Sequence, residues 1–409
     1  MDSISPAPAK RIQKLGLLGG LYISQLIPLA FLGQAVPVYL RQQGVSLQNL
    51  GLLSLLGLPW MLKFLWAPLI DRYGFTPMGH YRFWIICFQL LAAMGTAAVG
   101  FIDLQHGLML AILGGLVFFV CASQDVATDA LAVGLLSPQE RGWGNGVQTA
   151  GNYLGIVIGG GGMLLLLEHW GWRSSLWLMA AMLLVALLPV LGHRESYLQP
   201  ADSTHQLTLK HYWQTFVAFF RRPGMGLWLL TMMAYTAGSY MILGMFRPLL
   251  VDIGFSLADI GLLLGIVGSL AGMVGAIMAG SVVAALGRKR SLVIFGLLRS
   301  VVLLAYLLPV FGWTQVSLIY GVVISAQIAI SMANTTLYTI MMDNSEPTSA
   351  GTDYTLQNSM IAVNTTVVSI ISGILADAWG YGVLFAIAIA ISFSSVAIIG
   401  VSFQSAAES

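Results

Sequence analysis

Long hydrophobic runs, separated by short polar stretches, make up most of this chain. An α-helix needs about 20 apolar residues to cross a bilayer, and runs of that length predict twelve spans. The predicted spans are 15–39, 47–70, 82–102, 107–136, 142–167, 173–191, 224–250, 257–286, 290–311, 313–342, 350–376 and 380–403. The most polar long connection, 192–223, separates six spans from six. The pattern therefore predicts an all-α membrane protein with twelve transmembrane helices.

Composition agrees with a membrane protein and excludes other classes. Hydrophobic residues make up 57% of the 409 positions and charged residues 8%, whereas a soluble domain has roughly 25% charged residues. The short segments of alternating polarity that build a membrane β-barrel are absent from the sequence. The formal net charge of +2 is small and scattered, so we expect no nucleic-acid partner. Cys87 and Cys121 lie in apolar runs and are expected to be packed thiols.

The placement of Lys and Arg predicts the orientation in the membrane. With the N-terminus inside, thirteen of these residues fall in inner segments and two in outer loops. The remaining three, Lys63, Arg247 and Arg299, lie inside predicted spans. Because cytoplasmic loops carry an excess of Lys and Arg, we expect both termini to be cytoplasmic.

The two halves of the chain resemble each other. Residues 44–53, GVSLQNLGLL, align with 254–263, GFSLADIGLL, at an offset of 210. Residues 170–172, WGW, align with 379–381, WGY, at an offset of 209. The same offset of 209 joins three identical pairs, which are Pro138 with Pro347, Gly142 with Gly351 and Gln148 with Gln357. A near-constant offset predicts duplication of a six-span unit, with a pseudo-two-fold axis along the membrane normal.

The duplication predicts the domain organisation. We expect an N-terminal six-helix bundle at 1–191, a cytoplasmic linker at 192–223 and a C-terminal six-helix bundle at 224–409. Parallel repeats of this kind are typical of transporters whose substrate site lies near the bilayer midplane, where the repeats meet.

Two carboxylates lie deep in the fourth predicted span. Asp125 and Asp129 are four residues apart, which places them on one face of a helix, about one turn apart. Carboxylates at this depth are costly and normally face a bundle interior or a water-filled cavity. We interpret both as proton-coupling residues. A structural role, in which they only lock neighbouring helices together through a buried ion pair, stays open.

Lys63 in the second span is the predicted partner of one acid. Lys63 and Asp129 each lie about two turns from the inner end of their span, so their depths agree and a pair is expected. Alternatively, Lys63 extends to the cytoplasmic surface. If the pair forms, Asp125 is the freer carboxylate, and we expect it to load a proton from outside and release it inside.

Loop motifs resemble a known signature. Residues 71–74 read DRYG and residues 287–290 read GRKR. Both resemble the D-R-x-G and G-R-[KR] forms of the loop signature of the major facilitator superfamily, in which such loops latch helix ends together in one conformation. The resemblance implies that Asp71, Arg72 and Arg288 form a gate latch. Plain positive-inside anchoring is the alternative.

Two further stretches narrow the resemblance. Residues 63–71, KFLWAPLID, and residues 123–129, SQDVATD, are similar to the K-F-x-W-A-P-x-x-D and S-Q-D-x-x-x-D patterns of the AmpG and acetyl-coenzyme A transporter branch. Muropeptide permeases of this branch are usually longer, with two added spans, whereas its compact twelve-span members resemble RhtX/FptX siderophore permeases. The resemblance implies a bacterial inner-membrane permease that imports a siderophore by proton symport. Muropeptide uptake is the alternative.

Polar residues in the spans expected to face a central cavity are the candidate substrate ligands. For each amide the alternative is a hydrogen bond between helices. Arg247 is the cation expected to bind an anionic solute, and Arg299 is expected to have a structural partner. The predicted substrate-binding residues are Lys63, Trp66, Gln124, Gln148, Asn152, Tyr153, Tyr240, Arg247, Asn334, Tyr338, Gln357 and Asn358.

The sequence does not predict an enzyme. It has no Ser-His-Asp set, nucleotide-binding motif or metal-ligand cluster, and its six His residues all lie near span ends or in loops. No cofactor or metal is expected. The expected partners are a small amphipathic solute, protons and the lipid bilayer, and we expect a monomer.

Overall fold

The computed structural model describes residues 8–42, 53–74, 76–102, 107–195 and 209–402, and nearly all of them are helical. Residues 44–52 of the predicted repeat and 196–208 of the predicted linker lie outside the described residues. The α-helices are α1 Pro8–Ala30, α2 Val36–Gln42, α3 Leu58–Leu62, α4 Ala67–Arg72, α5 Tyr81–Val99, α6 Gly107–Leu135, α7 Arg141–Val157, α8 Met163–Gly192, α9 Leu209–Arg221, α10 Met225–Asp252, α11 Leu257–Ile260, α12 Gly268–Leu286, α13 Arg288–Leu303, α14 Leu307–Val310, α15 Val316–Asp343 and α16 Ala350–Ser402.

Short non-α turns join or interrupt these helices. The π-helical turns are Phe31–Ala35, Ile158–Gly162 and Gly261–Val267, and the 3-10 turns are Leu53–Gly57, Lys63–Leu65, Leu304–Tyr306 and Pro347–Ser349. Because every backbone group in a bilayer needs a partner within its own segment, continuous helical structure is the expected solution for a spanning chain.

The twelve predicted spans are confirmed once two very long helices are divided. Nine helical stretches in the described residues are long and apolar enough to cross a membrane. Two of them, Arg141–Gly192 and Pro347–Val401, contain 52 and 55 residues, about twice the length of a span. Each of these two contains a non-helical glycine and therefore accounts for two spans. The predicted span 47–70, described from residue 53 and broken into short helical pieces, supplies the remaining span.

The two interrupting glycines show the duplication directly in the backbone. Gly171 has φ 75° and ψ 178°, and Gly380 has φ 77° and ψ 168°. Their numbers differ by 209, the offset of the sequence repeat. This backbone region is essentially restricted to glycine, because a Cβ atom would clash there. The same glycine therefore makes the same corner between the last two spans of each half.

The second span is broken into short pieces. Pro59 and Pro68 stand in the first turns of α3 and α4, where the missing N–H of proline is tolerated. Between these helices, the turn Lys63–Leu65 is 3-10. A 3-10 turn rises about 2.0 Å per residue instead of about 1.5 Å. Lys63 therefore lies farther from the inner end of its span than an unbroken α-helix would place it.

The chain divides into two compact units. The first takes the described residues of 1–137, 150–202 and 347–352, and the second takes those of 138–149, 203–346 and 353–409. Each unit is described separately below, and the division into domains at 192–223 stays a prediction.

Each unit has its own apolar core. In the first unit, Phe31 and Met179 are among the buried residues at the centre. In the second, the rings of Phe246 and Tyr306 meet edge to face at 4.6 Å, and Phe385 packs beside Tyr306.

The second half of α6, from Val120 to Val133, is buried throughout, whereas α13 is buried on one face and exposed on the other. Both helices carry buried charged residues, which are Asp125 and Asp129 on α6 and Arg299 on α13.

Candidate functional site

The two aspartates of α6 lie in the interior of the first unit. The exposed fractions of Asp125 and Asp129 are 3% and 0%. Both belong to a helix that is long and apolar enough to span a membrane. Carboxylates so placed need charged or hydrogen-bonding partners, because the surrounding medium solvates them poorly.

Asp125 is held by two groups from other helices. The Lys63 Nζ atom forms an ion pair with Asp125 Oδ2. Gln25 Nε2 on α1 donates a hydrogen bond of 2.6 Å to Asp125 Oδ1. Lys63 is fully buried, and its ammonium lies 4.4 Å from the centre of the Trp60 ring. Both oxygens of Asp125 are therefore engaged.

The expected pair between Lys63 and Asp129 is wrong, as is the expectation that Asp125 is the freer carboxylate. The depth estimate assumed a regular helix in the second span, whereas the 3-10 turn at Lys63–Leu65 adds rise between Lys63 and the inner end. In the predicted orientation α6 runs inward, so Asp125 lies one turn deeper than Asp129. The added rise is only about 1.5 Å, against about 6 Å between the two acids along α6, so the turn alone does not select Asp125, and the choice depends on how the two helices pack.

Asp129 is bound differently. The Tyr22 hydroxyl on α1 donates a hydrogen bond of 2.8 Å to Asp129 Oδ1. The Asp129 side chain also lies within hydrogen-bonding range of Asp125 and feels the charge of Lys63. Two carboxyl groups hydrogen-bond to each other only when one of them carries a proton. One lysine and two carboxyl groups therefore form a cluster suited to holding one exchangeable proton.

Tyr22 and Gln25 were not among the predicted site residues, although they supply the hydrogen bonds to the two acids. They are three residues apart on α1 and therefore share one helix face. Two polar side chains at this spacing in an apolar span were the sequence signal for the contact. Choosing α1 as the helix that packs on α6 required the tertiary structure.

Two other predicted residues lie close to α6 but serve different contacts. Trp66 Nε1 donates a hydrogen bond of 3.0 Å to Ser123 Oγ. Gln124 Nε2 donates to Gln89 Oε1, and Gln89 Nε2 donates to the Leu183 carbonyl at 2.8 Å. The amide of Gln124 therefore links helices, which was the alternative to substrate binding.

Asp71, a predicted latch residue, binds the start of α16 within the first unit. Its carboxylate accepts hydrogen bonds from the Gly351 N–H at 2.9 Å, the Thr352 N–H at 2.7 Å and Thr352 Oγ1 at 2.6 Å. The Tyr81 hydroxyl donates a further one at 2.9 Å. Asp71 thus caps a helix N-terminus, where a negative charge is favoured. Burial raises the pKa of Asp71 to about 6, and these hydrogen bonds oppose that rise.

Arg288, another predicted latch residue, binds helix ends in the second unit. Arg288 Nε donates to Asp343 Oδ2 at 2.7 Å, and Arg288 Nη2 donates to the Pro138 carbonyl at 2.5 Å. Arg141 Nη1 donates to Asp343 Oδ1 at 2.8 Å. Asp343 ends α15 and was not predicted as a site residue. Arg72 is partly exposed, and the role of all three predicted residues as a gate stays a prediction.

Two amides of the second unit already have hydrogen-bond partners. Gln357 accepts a hydrogen bond of 2.7 Å from Trp228 Nε1 and donates one of 3.1 Å to the Met341 carbonyl. Gln148 Oε1 accepts from the Tyr354 hydroxyl at 3.3 Å. These contacts are of the interhelical kind expected as the alternative to substrate binding.

The other predicted ligands differ in exposure, and Arg247 is the exposed one. Asn334 and Tyr338 stand at an offset of 209 from Asp125 and Asp129. The second half thus has neutral groups where the first half has acids. The partly buried members of the set are Asn152, Tyr153, Tyr240, Asn334, Tyr338 and Asn358.

Comparison with known proteins gives consistent matches. The family model described as Major Facilitator Superfamily matches residues 18–364. An anhydromuropeptide permease of Escherichia coli K12 is 28% identical over 371 residues, covering 89% of this chain and 74% of its own length. A putative transporter AmpG 4 of Rickettsia conorii is 22% identical over 398 residues, covering 94% of each chain.

Solved structures agree on the fold. The crystal structure of the human organic anion transporter MFSD10 (TETRAN) matches with a TM-score of 0.70 at 16% identity, covering 96% of this chain and 100% of that one. At this identity the match concerns the fold alone. The two relatives by sequence described above support the predicted resemblance to AmpG proteins. They do not support the predicted resemblance to RhtX/FptX siderophore permeases.

Proposed function

The chain belongs to the Major Facilitator Superfamily, and from that premise we propose that it is a proton-coupled permease that imports muropeptides across a bacterial inner membrane. It is a multi-pass transporter and not an enzyme. The observation that carries the proposal is the buried cluster of Lys63, Asp125 and Asp129, because charge at bilayer depth is costly and marks ion or proton pathways.

The proposed solute is based on the names of the relatives by sequence. The E. coli relative is named an anhydromuropeptide permease, and its similarity extends over 89% of this chain. Siderophore import was the expected function, with muropeptide uptake as the alternative. The relatives support the alternative, so muropeptides take the place of siderophores in the proposal.

Asp129 is the acid that we assign to proton transport. Asp125 is neutralised by Lys63 and held by Gln25, so it is the poorer acid for exchange. With Asp129 protonated, the cluster carries no net charge, which favours its burial. Loss of the proton leaves one net negative charge in the bundle. Loading from outside and release inside would thus tie solute movement to proton movement.

The orientation also forms part of the proposal. The excess of Lys and Arg in the inner segments supports cytoplasmic termini. In that orientation, the helix-end contacts of Asp71 and Arg288 lie at the cytoplasmic side. We infer that some of these contacts change when solute is released to the cytoplasm, which is the role expected of a latch.

The proposal is tested with purified protein in liposomes and labelled anhydromuropeptide. Wild-type protein should accumulate the solute when the outside is made acidic. Asp129→Asn should lose this accumulation but keep solute-for-solute exchange, because a neutral amide resembles the protonated acid and cannot release a proton. Asp259→Asn is the matched control, since Asp259 is exposed, and it should behave as the wild type does.

Two outcomes contradict separate parts of the proposal. If the wild type accumulates a ferric siderophore and no muropeptide, the proposed solute is wrong. If Asp129→Asn accumulates muropeptide under the gradient as fully as the wild type, Asp129 does not couple transport to protons.

A further inference from the structure

A second buried charge lies in the other unit, away from the acid cluster. Arg299 on α13 is fully buried. Its guanidinium lies 3.9 Å from the centre of the Tyr235 ring, and its Nη2 atom reaches Ser392 Oγ at 3.4 Å. Among the described residues, its Nε and Nη1 atoms have no hydrogen-bond partner. Two of its three nitrogens therefore retain their capacity to donate.

The charge of Arg299 is not balanced by a carboxylate in the described part of the chain. The ion pairs found there for the second unit belong to Arg141, Arg222 and Arg288. The ionisable groups that interact with Arg299 are the hydroxyls of Tyr235 and Tyr240. A guanidinium remains protonated in proteins, and burial without an anion is costly. An anion from outside the chain would remove this cost.

In the first unit, a neutral residue, Gln89, stands at the position that corresponds to Arg299. Gln89 contacts the Leu183 carbonyl, and Arg299 contacts Ser392. Gln89 and Arg299 are 210 positions apart, and Leu183 and Ser392 are 209 positions apart. The duplicated halves therefore carry an amide and a guanidinium in comparable contacts between the third and sixth helices of each half.

The polar partner that completes this contact in the first half is missing in the second. Gln124 donates to Gln89 Oε1, so both ends of the Gln89 amide are satisfied. At an offset of 209, Gln124 corresponds to Ala333, which is buried and apolar. The second half thus has a charge where the first has an amide, and an apolar residue where the first has its hydrogen-bonding partner, which is unfavourable for a purely structural contact.

Tyr240 on α10 lies within electrostatic range of Arg299 and also contacts α15. Its hydroxyl hydrogen-bonds to the side chains of Tyr338 and Thr365. Tyr240 and Tyr338 are only partly buried. Tyr338 stands at an offset of 209 from Asp129. Tyr240 therefore hydrogen-bonds to the side chain that stands where the first half has Asp129.

We propose that Arg299 binds a carboxylate of the transported solute, with Tyr240 beside it, and thereby selects anionic over neutral solutes. The inference rests on the proposed function, because the peptide portion of a muropeptide carries carboxylates. The pairing of guanidinium with carboxylate is among the strongest hydrogen-bonded contacts in proteins. Arg247, the cation predicted for this role, is exposed, so the two arginines are compared in the same test.

The test compares transport of a labelled anhydromuropeptide with transport of the same compound after its carboxylates have been amidated. The Arg299→Gln variant should raise KM for the acid about tenfold or more, the usual cost of losing a charge-assisted hydrogen bond, and change KM for the amide little. Arg247→Gln should leave the ratio of the two KM values unchanged. Arg290→Gln is the matched control, because Arg290 lies on the same helix and is exposed.

An unchanged ratio of acid to amide KM values in Arg299→Gln overturns the inference. A loss of selectivity in Arg247→Gln, with none in Arg299→Gln, assigns the role to Arg247 and also overturns it. If the wild type transports neither compound, the proposed function fails, and the role of Arg299 is then decided by binding alone.

Binding is measured as the shift in melting temperature of the detergent-solubilised full chain, with N-acetylmuramic acid and with neutral N-acetylglucosamine. In the wild type, the acid should raise the melting temperature more than the neutral sugar does. In Arg299→Lys, which keeps the charge and serves if the glutamine variant does not fold, the difference should shrink. Equal shifts in the wild type, no shift with the acid, or an undiminished difference in Arg299→Lys would overturn the inference.

Discussion

The Lys63 cluster of the first unit and Arg299 of the second unit are buried charges with opposite surroundings. In the first unit, Lys63 is paired with Asp125, and Asp129 is close enough to share a proton with it. In the second unit, the guanidinium of Arg299 lies over the Tyr235 ring and reaches Ser392 Oγ at 3.4 Å. Among the described residues it has no carboxylate partner. The first half thus carries an internally balanced charge cluster on its second and fourth spans, and the second half carries an unbalanced cation on α13, which corresponds to the third span.

The two halves of a duplicated transporter can therefore have separate functions. A cluster that is balanced within the chain can take up and release a proton without help from the solute. A cation that lacks a counter-ion gains most from a solute that brings one. Under the two proposals above, the first half supplies the coupling ion site and the second half supplies selectivity for charge.

The largest effect is expected for Asp125→Asn, which removes the ion-pair partner of the buried ammonium of Lys63. Breaking such a pair from one side costs about 3–5 kcal/mol of folding stability, and less here if Asp129 ionises and takes over as the anion. The corresponding position of α15 is an asparagine, Asn334, so an amide is accommodated there in the second half. The free energy of unfolding in detergent, measured with denaturant, checks the expectation.

A double variant separates the pair from other effects of the substitution. Lys63→Met together with Asp125→Asn should recover most of the lost stability, because no buried charge is left unpaired. The exposed control Asp259→Asn should stay within about 0.5 kcal/mol of the wild type. If the double variant is no more stable than Asp125→Asn alone, the ion pair does not account for the loss.

The next effect concerns the glycine corner that each half has between its last two spans. Gly171→Ala and Gly380→Ala should each cost about 1–3 kcal/mol, since φ near +75° with extended ψ strains any residue that has a Cβ. No atom outside the local helix lies within 4 Å of a Cβ built at either position, so the cost comes from the backbone alone. Thermal unfolding of the two variants should give similar losses.

Gly373→Ala is the matched control for this corner. A Cβ at Gly373 also meets nothing within 4 Å, and its φ is ordinary. Alanine in a helix is favoured over glycine by roughly 0.5–1 kcal/mol, so this variant should be neutral or stabilised. Unequal losses at the two corners would show that the halves differ there despite their matching backbone angles.

A smaller effect is expected at Tyr22, whose hydroxyl donates to Asp129. Tyr22→Phe should lower the stability by about 1.5 kcal/mol or somewhat more, the usual range for a hydrogen bond to a charged group, and less if Asp129 carries the proton. Proton-driven uptake should slow as well. Tyr39→Phe, which keeps the ring stacked on Trp172, is the control. Unchanged uptake in Tyr22→Phe would remove Tyr22 from the site.

The smallest effect concerns pH and the Asp71 contact. Burial raises the pKa of Asp71 from 3.8 to about 6, so the folded protein binds this proton more tightly than the unfolded chain does. The contribution of this group to stability is therefore complete below about pH 3.8, falls as the pH rises through about 6, and stays low above that. The effect should be modest, since the hydrogen bonds oppose the desolvation and the side chain is partly exposed.

Melting temperatures of the wild type and Asp71→Asn from pH 4 to pH 7.5 check the direction of this change in stability. Because other acids titrate in both proteins, the difference between the two is the quantity to follow. The wild type should lose stability relative to Asp71→Asn as the pH rises. A difference that grows in favour of the wild type would show that the hydrogen bonds from Thr352 and Gly351 outweigh burial.

The sequence alone determined the features that depend on local pattern. Apolar runs predicted the twelve spans, because a bilayer imposes a minimum helix length that can be counted along the chain. The repeat offset of 209 identified the duplication, and the matching corners at Gly171 and Gly380 agree with it. The spacing of Asp125 and Asp129 likewise predicted a shared helix face, since helix periodicity is a local property.

The partners of the buried charges were decided by the tertiary structure. Lys63 pairs with Asp125 and not with Asp129, and a depth count along two spans does not choose between acids that are one turn apart. Tyr22, Asp343 and the environment of Arg299 likewise depend on which helices pack together. Helix periodicity states which residues share a face, but the packing of whole helices decides what that face meets, and a buried charge depends on that neighbour for its energy.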